Sequence, residues 1–167
     1  MWENAQDLEH VASLHRRTNI AFQLLDVQPS SDPHALYSSM IFLVKRKLFG
    51  LVPVVTFGFR RIVGRFELWQ IDINPVFGVT TALRSRLLPD ETDPARTVLV
   101  DELEITMPRI LRPFRRAFEA ALRRHTRLQC AEDETFRARR VELRNRGIHL
   151  PPSILNRSTW QRMFERS

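Results

Sequence analysis

The chain has 167 residues, 43% of them hydrophobic, and a formal net charge of +7 at neutral pH, with a pI near 11.0. That length and apolar content suit one domain, residues 1–167, able to bury a core of its own. No apolar run approaches the roughly 18 residues of a membrane-spanning helix, and the polar N-terminus lacks signal character, so a soluble, cytoplasmic protein is expected; the single cysteine, Cys130, excludes an intramolecular disulfide or a cysteine-rich zinc module.

Residues 3–25 read as a helix followed by a turn into Val27. This stretch carries Asp7, His10 and His15 in the order D-x2-H-x4-H. Two imidazoles and a carboxylate are the donor types of a first-row metal site that keeps open positions. Asp7 and His10 share a helical face at i, i+3. His10 and His15 are five apart, roughly 140° around an ideal helix, so the helix must end, loosen or bulge for both to reach one ion. The plain alternative is two ordinary half-buried or surface histidines.

The cluster from Gln28 to Pro33 breaks regular structure, because its prolines lack donors and its polar residues favour turns. Strand character then recurs at residues 36–44, 51–59, 66–73, 79–88 and 97–107, with Pro53 marking an edge or strand start and Gly64 a turn. In the fourth segment Val79, Thr81, Leu83, Ser85 and Leu87 share one face. In the fifth, Leu99, Leu103 and Ile105 oppose Val98, Val100, Glu102 and Glu104. Five consecutive strands with short connections predict an antiparallel meander.

Pro108 stops the last strand, and residues 111–145 read as one helix with Pro113 near its start and Gly147 as its C-cap. Leu111, Phe114, Phe118, Leu122, Phe136 and Leu143 form its apolar stripe. Glu132 and Asp133 both fall within roughly 60° of the stripe's centre, and helical geometry does not choose between them. Glu134 points away. The alternative is that all three are solvated charges on a basic helix. The tail, residues 148–167, carries Trp160 and Phe164, part of which is expected to pack back. The pattern as a whole is α+β.

Positive charge concentrates at Arg16-Arg17 and between Arg109 and Arg146, which suits an anionic lipid surface, a nucleic acid or an acidic electron-transfer protein. A solvated basic face is the simpler reading. Nucleic acid is not expected, because the chain holds no aromatic RNP pattern, G-x-x-G clamp or C2H2 finger.

The run Glu3, Asn4, Asp7, His10, Val11, His15, as E-N-x-x-D-x-x-H-V-x-x-x-H, resembles the mononuclear-iron segment of the catalytic domain of Rieske non-haem iron ring-hydroxylating oxygenases. Gln129 to Glu134 is similar to the context of that family's third, carboxylate ligand. The resemblance implies a helix-grip fold, START-like or Bet v 1-like, in which an antiparallel sheet wraps the C-terminal helix. It implies Fe(II) bound by His10, His15 and Asp133, with Asn4 beside the iron and Asp7 bridging to a neighbouring subunit. That geometry is compatible with a homo-oligomer. Asp7 is also placed to orient the His10 imidazole through a hydrogen bond, or simply to sit as a surface carboxylate near the helix dipole. The implied activity is dioxygenase-type hydroxylation of a small hydrophobic or aromatic substrate.

Two departures stand against the family pattern. A Rieske cluster needs two Cys and two His, which one cysteine cannot supply, so electrons are expected from a separate Rieske or ferredoxin-type donor. The strand that leads into the family's iron-binding helix has no counterpart before Trp2, as expected of a fragment or a late start. Phe42, Val55, Phe57, Trp69 and Phe77 are expected to line an apolar cavity under the helix, and each also fits plain core packing. The alternative function is a non-catalytic START-like module that binds a lipid or other apolar ligand and needs no electron donor. A folded but inactive metal-binding remnant is the third.

Overall fold

Alternating segments joined by short turns leave each strand no nearer partner than its sequence neighbour, and the computed structural model shows that outcome. It describes residues 19–33, 35–48, 52–93 and 97–148. The strands are β1 (Asn19–Gln28), β2 (Ser39–Leu48), β3 (Val52–Gly64), β4 (Glu67–Asn74), β5 (Val79–Pro89) and β6 (Thr97–Thr106). They form one six-stranded sheet in the order β1-β2-β3-β4-β5-β6, with every pair antiparallel. A 3-10 turn, Arg109–Phe114, leads into the helix α1, Arg115–Asn145. The sheet wraps this C-terminal helix in the α+β helix-grip arrangement common to START-like proteins.

Three expectations are corrected. Residues 19–25, expected as helix, belong to β1, so the described sheet has six strands instead of five. Phe22 and Leu24 follow the two-residue period and face Val44 and Phe42 across the ladder. The register shifts between Leu24 and Asp26, leaving Leu25 exposed while Val27 packs against the core. Such a bulge bends a strand and strengthens its twist. The second strand begins at Ser39 rather than at residue 36, and Tyr37, just before it, is fully buried.

The third correction concerns the helix start. Pro113 lies inside the 3-10 turn, where its ring and missing N–H oppose α-helical bonding. The α-helix proper begins at Arg115, and Phe114 is largely exposed. At the other end the helix closes as expected. Gly147 takes φ +78°, its N–H donates to the Arg144 carbonyl at 2.9 Å, and the Ile148 N–H donates to the Leu143 carbonyl at 2.9 Å. These are the paired bonds of a Schellman motif, which needs a residue tolerant of the left-handed region.

The core sits toward the β1–β3 end of the inner face and consists of Phe22, Tyr37, Met40, Phe42 and Val44, with Leu24, Val27, Leu36 and Ile62 packed around it. Phe42 stacks on Phe22 with ring centroids 5.0 Å apart, and the Arg60 guanidinium lies 5.8 Å from the Phe42 ring centre. The outer face is also apolar. Ile41, Phe59 and Ile71 are in register across β2–β4, as are Leu43, Phe57 and Ile73. Val55, Phe57, Phe59, Trp69, Ile71 and Ile73 are all exposed.

Among the described residues no helix is long and apolar enough to cross a membrane.

Candidate functional site

Inward-pointing positions of β2–β5 and the facing side of α1 line a half-open cavity of about 110 Å³. Its apolar wall comes from Val54 of β3, Val79 of β5, Phe77 of the β4–β5 turn, and on α1 Phe118 with Ala121 and Leu122 one helical turn further on. Its polar wall comes from Arg46, Thr56, Asp72, Asn74, Thr81 and His125. Asn74 also shapes the adjoining turn: its Oδ1 accepts the Phe77 N–H at 3.0 Å, and Gly78 adopts φ +62° beside it.

Asp72 belongs to a connected set of contacts on the inner face of the sheet. The Arg60 Nε donates to Gln70 Oε1 at 2.8 Å, Gln70 Nε2 donates to Asp72 Oδ2 at 2.9 Å, and Arg46 Nη1 approaches the same Oδ2 at 3.1 Å. Gln70, Asp72 and Thr56 are each 7% exposed. A carboxylate this buried is tolerated only with a partner charge and hydrogen bonds, and Arg46 and Gln70 supply both to Oδ2. The other oxygen, Asp72 Oδ1, and the Arg46 Nε are buried and have no hydrogen-bond partner among the described residues. The His125 Nε2 is buried at the same wall.

The five residues expected at the cavity divide between the two faces. Phe77 lines it, and Phe42 is buried in the adjacent core. Val55, Phe57 and Trp69 lie in the opposite register on the outer face and are 41–47% exposed. They do not line the cavity. The reason is parity: in β3 and β4 the residues that turn inward are Val54, Thr56, Gly58 and Leu68, Gln70, Asp72, one position away from the bulkier set.

Of the proposed iron ligands, Asp133 is described. It and Glu132 are half-buried on α1, in line with Phe136 and Arg140, while Glu134 is exposed and pairs with Arg137 Nη2 at 3.1 Å. Nearby, partial burial pushes the Cys130 thiol above its ordinary range, and the carboxylates of Asp101 on β6 and Asp133 push it further. Asn4, Asp7, His10 and His15 lie outside the described residues. Among the described residues no three His, Cys, Asp or Glu side chains gather as a metal site.

The sequence reading named neither Asp72, Arg46, Thr56 nor His125. A signal for the first was present: Leu68, Gln70 and Asp72 alternate with Trp69, Ile71 and Ile73, so one face of β4 had to be polar. That alternation alone favoured burying the tryptophan face. Comparison of the chain with family models, with curated proteins and with solved structures found no match.

Proposed function

We propose that this chain is a START-like binding module that holds a small apolar ligand between its sheet and its C-terminal helix. The observation that carries this reading is the cavity itself, with an aromatic and aliphatic wall from Val54, Phe77, Val79, Phe118 and Leu122 and a few polar groups at one side. Ligand sites have this composition: apolar lining for affinity and a small number of fixed polar atoms for orientation. A volume of about 110 Å³, smaller than the engineered cavity of about 150 Å³ that takes benzene, limits the occupant to a single ring or a short acyl segment, with part of it at the open side. p-Xylene tests the reading. At tenfold its dissociation constant it should stabilise the folded chain by about 1.4 kcal/mol and shift the methyl resonances of Val54 and Val79. Ala121→Phe, which fills the cavity, should abolish both effects. A wild-type chain with unchanged melting and unchanged methyl signals would refute the module.

A second reading is supported by the half-buried placement of Asp133 on the C-terminal helix. In it, His10, His15 and Asp133 hold Fe(II), and Asn4 and Asp7 orient the ligands. Such a centre would supply dioxygen-dependent oxidation of a hydrophobic or aromatic substrate, with electrons from a separate Rieske or ferredoxin-type donor. Anaerobic reconstitution should then leave stoichiometric Fe(II) on the wild-type chain and none on His10→Ala or Asp133→Ala. Retention of iron by both variants, or its absence from the wild type, would remove this reading.

A further inference from the structure

The three most exposed large hydrophobic side chains among the described residues are Ile110 at 81%, Val76 at 72% and Phe114 at 58%. They come from two stretches that meet at one end of the sheet. Val76 lies in the β4–β5 turn, and Ile110 and Phe114 in the 3-10 turn that follows β6. Thr80 at the start of β5 pairs with Thr106 at the end of β6, and a Cβ built on Gly78 would stand 3.1 Å from Pro108 Cγ. The two stretches therefore lie side by side. The same segment is rich in uncompensated positive charge. Residues 107–118 hold four arginines and no Asp or Glu. Arg115 pairs with Glu119, and Glu104 and Glu119 gather with Arg115 and Arg123 in a groove between β6 and α1. Arg109, Arg112 and Arg116 are exposed and form no ion pair among the described residues.

We propose that this end of the molecule docks on an anionic lipid bilayer, with Val76, Ile110 and Phe114 entering the boundary between headgroups and acyl chains and Arg109, Arg112 and Arg116 meeting lipid phosphates around them. Apolar side chains set among cations are the composition of a peripheral membrane anchor. A nucleic-acid backbone would use the arginines and leave the three apolar side chains in water. A protein partner needs about 800 Å² of complementary surface on each side, more than three side chains offer, whereas a bilayer accepts single apolar groups without matching their shape. The dock is also next to the cavity: Phe77 follows Val76, Phe118 lies one helical turn beyond Phe114, and both line it. Docking so brings the cavity end of the fold to the lipid surface, but it does not require the cavity to be filled.

Vesicle sedimentation on the full chain tests this, with phosphatidylcholine alone and with phosphatidylcholine holding about one third phosphatidylserine. The mixed vesicles should bind at least about tenfold more tightly, and added salt should weaken that binding. Arg112→Gln combined with Arg116→Gln should lower partitioning about 25-fold, about fivefold for each arginine near the surface. Arg139→Gln, about 35 Å further along α1, should leave it unchanged. Val76→Ser combined with Ile110→Ser keeps every charge and should lower it at least about tenfold. Both side chains are exposed, so an unaltered melting curve is expected of that variant. No binding to either vesicle, or equal binding to both, would overturn the dock. Full binding by the double serine variant, or a loss with Arg139→Gln as large as with Arg112→Gln alone, would also overturn it, leaving general adsorption of a basic protein. A duplex RNA that displaces the wild type from mixed vesicles at equal phosphate concentration, and binds the double serine variant equally well, would assign the arginines to nucleic acid instead. Each of these failures leaves the binding module standing, because none of the readouts involves the cavity.

Discussion

At the scale of single residues, a glycine and a ring pack closely inside the sheet. Phe42 on β2 lies directly over Gly58 on β3, its register partner. A Cβ built on Gly58 would come within 2.1 Å of two ring atoms of Phe42. The ring has little room to retreat, since Phe22 stacks against it and it is 1% exposed. Gly58→Ala should therefore destabilise the fold by about 1–3 kcal/mol, the usual penalty of overpacking. The measurement is the denaturant midpoint. The cost should shrink when Phe42→Ala is added, because contacting residues do not behave additively. An unchanged midpoint in the single variant would show that the ring can move.

At the scale of elements, β4, β5 and β6 are tied on the outer face by a charge ladder that continues the backbone pairing. Glu67 Oε1 accepts from Arg84 Nε at 2.7 Å and from Trp69 Nε1 at 2.9 Å. Arg84 also lies over the Trp69 ring, 5.8 Å from its centre, and Arg86 pairs with Glu102 of β6. The hydrogen bond from Arg84 holds the Glu67 carboxyl below its ordinary 4.5, and that from Trp69 lowers it further. A carboxyl whose folded pKa lies below the unfolded one stabilises the fold above the unfolded value, and that contribution is lost as pH falls through the folded value. The melting temperature of Glu67→Gln should thus lie slightly below wild type near pH 7, and the two should converge as pH falls below 4.5. A gap that persists or widens in acid would mean that Glu67 acts by packing alone. Because this pair is open to solvent, added salt should narrow the gap as well.

At the scale of the whole molecule, the sheet presents two apolar faces. The inner one carries the core and the cavity beneath α1. The outer one carries Val55, Phe57, Phe59, Trp69, Ile71 and Ile73 toward solvent. Local patterning was enough for the meander, the long C-terminal helix and its end at Gly147, since two-residue alternation, proline stops and a glycine cap act over a few residues. It was also enough to put Glu132 and Asp133 on one helical stripe. It was not enough for β1, whose short Phe22–Leu24 alternation gains meaning only from Val44 and Phe42 across the ladder.

Nor could it decide which face of β3 and β4 turns inward. Both faces offer apolar residues, so hydrophobicity alone leaves the parity undetermined, and a shift of one residue exchanges every side chain between faces. The tertiary structure resolves it through small and polar residues. Gly58 admits the Phe42 ring, and Asp72 meets Arg46, which lies 26 residues earlier in the chain. The sequence by itself determined the elements and their order, because those follow from local periodicity. The cavity and the buried Asp72–Arg46 pair were decided only by tertiary structure, because they depend on contacts between strands and a helix far apart in the chain.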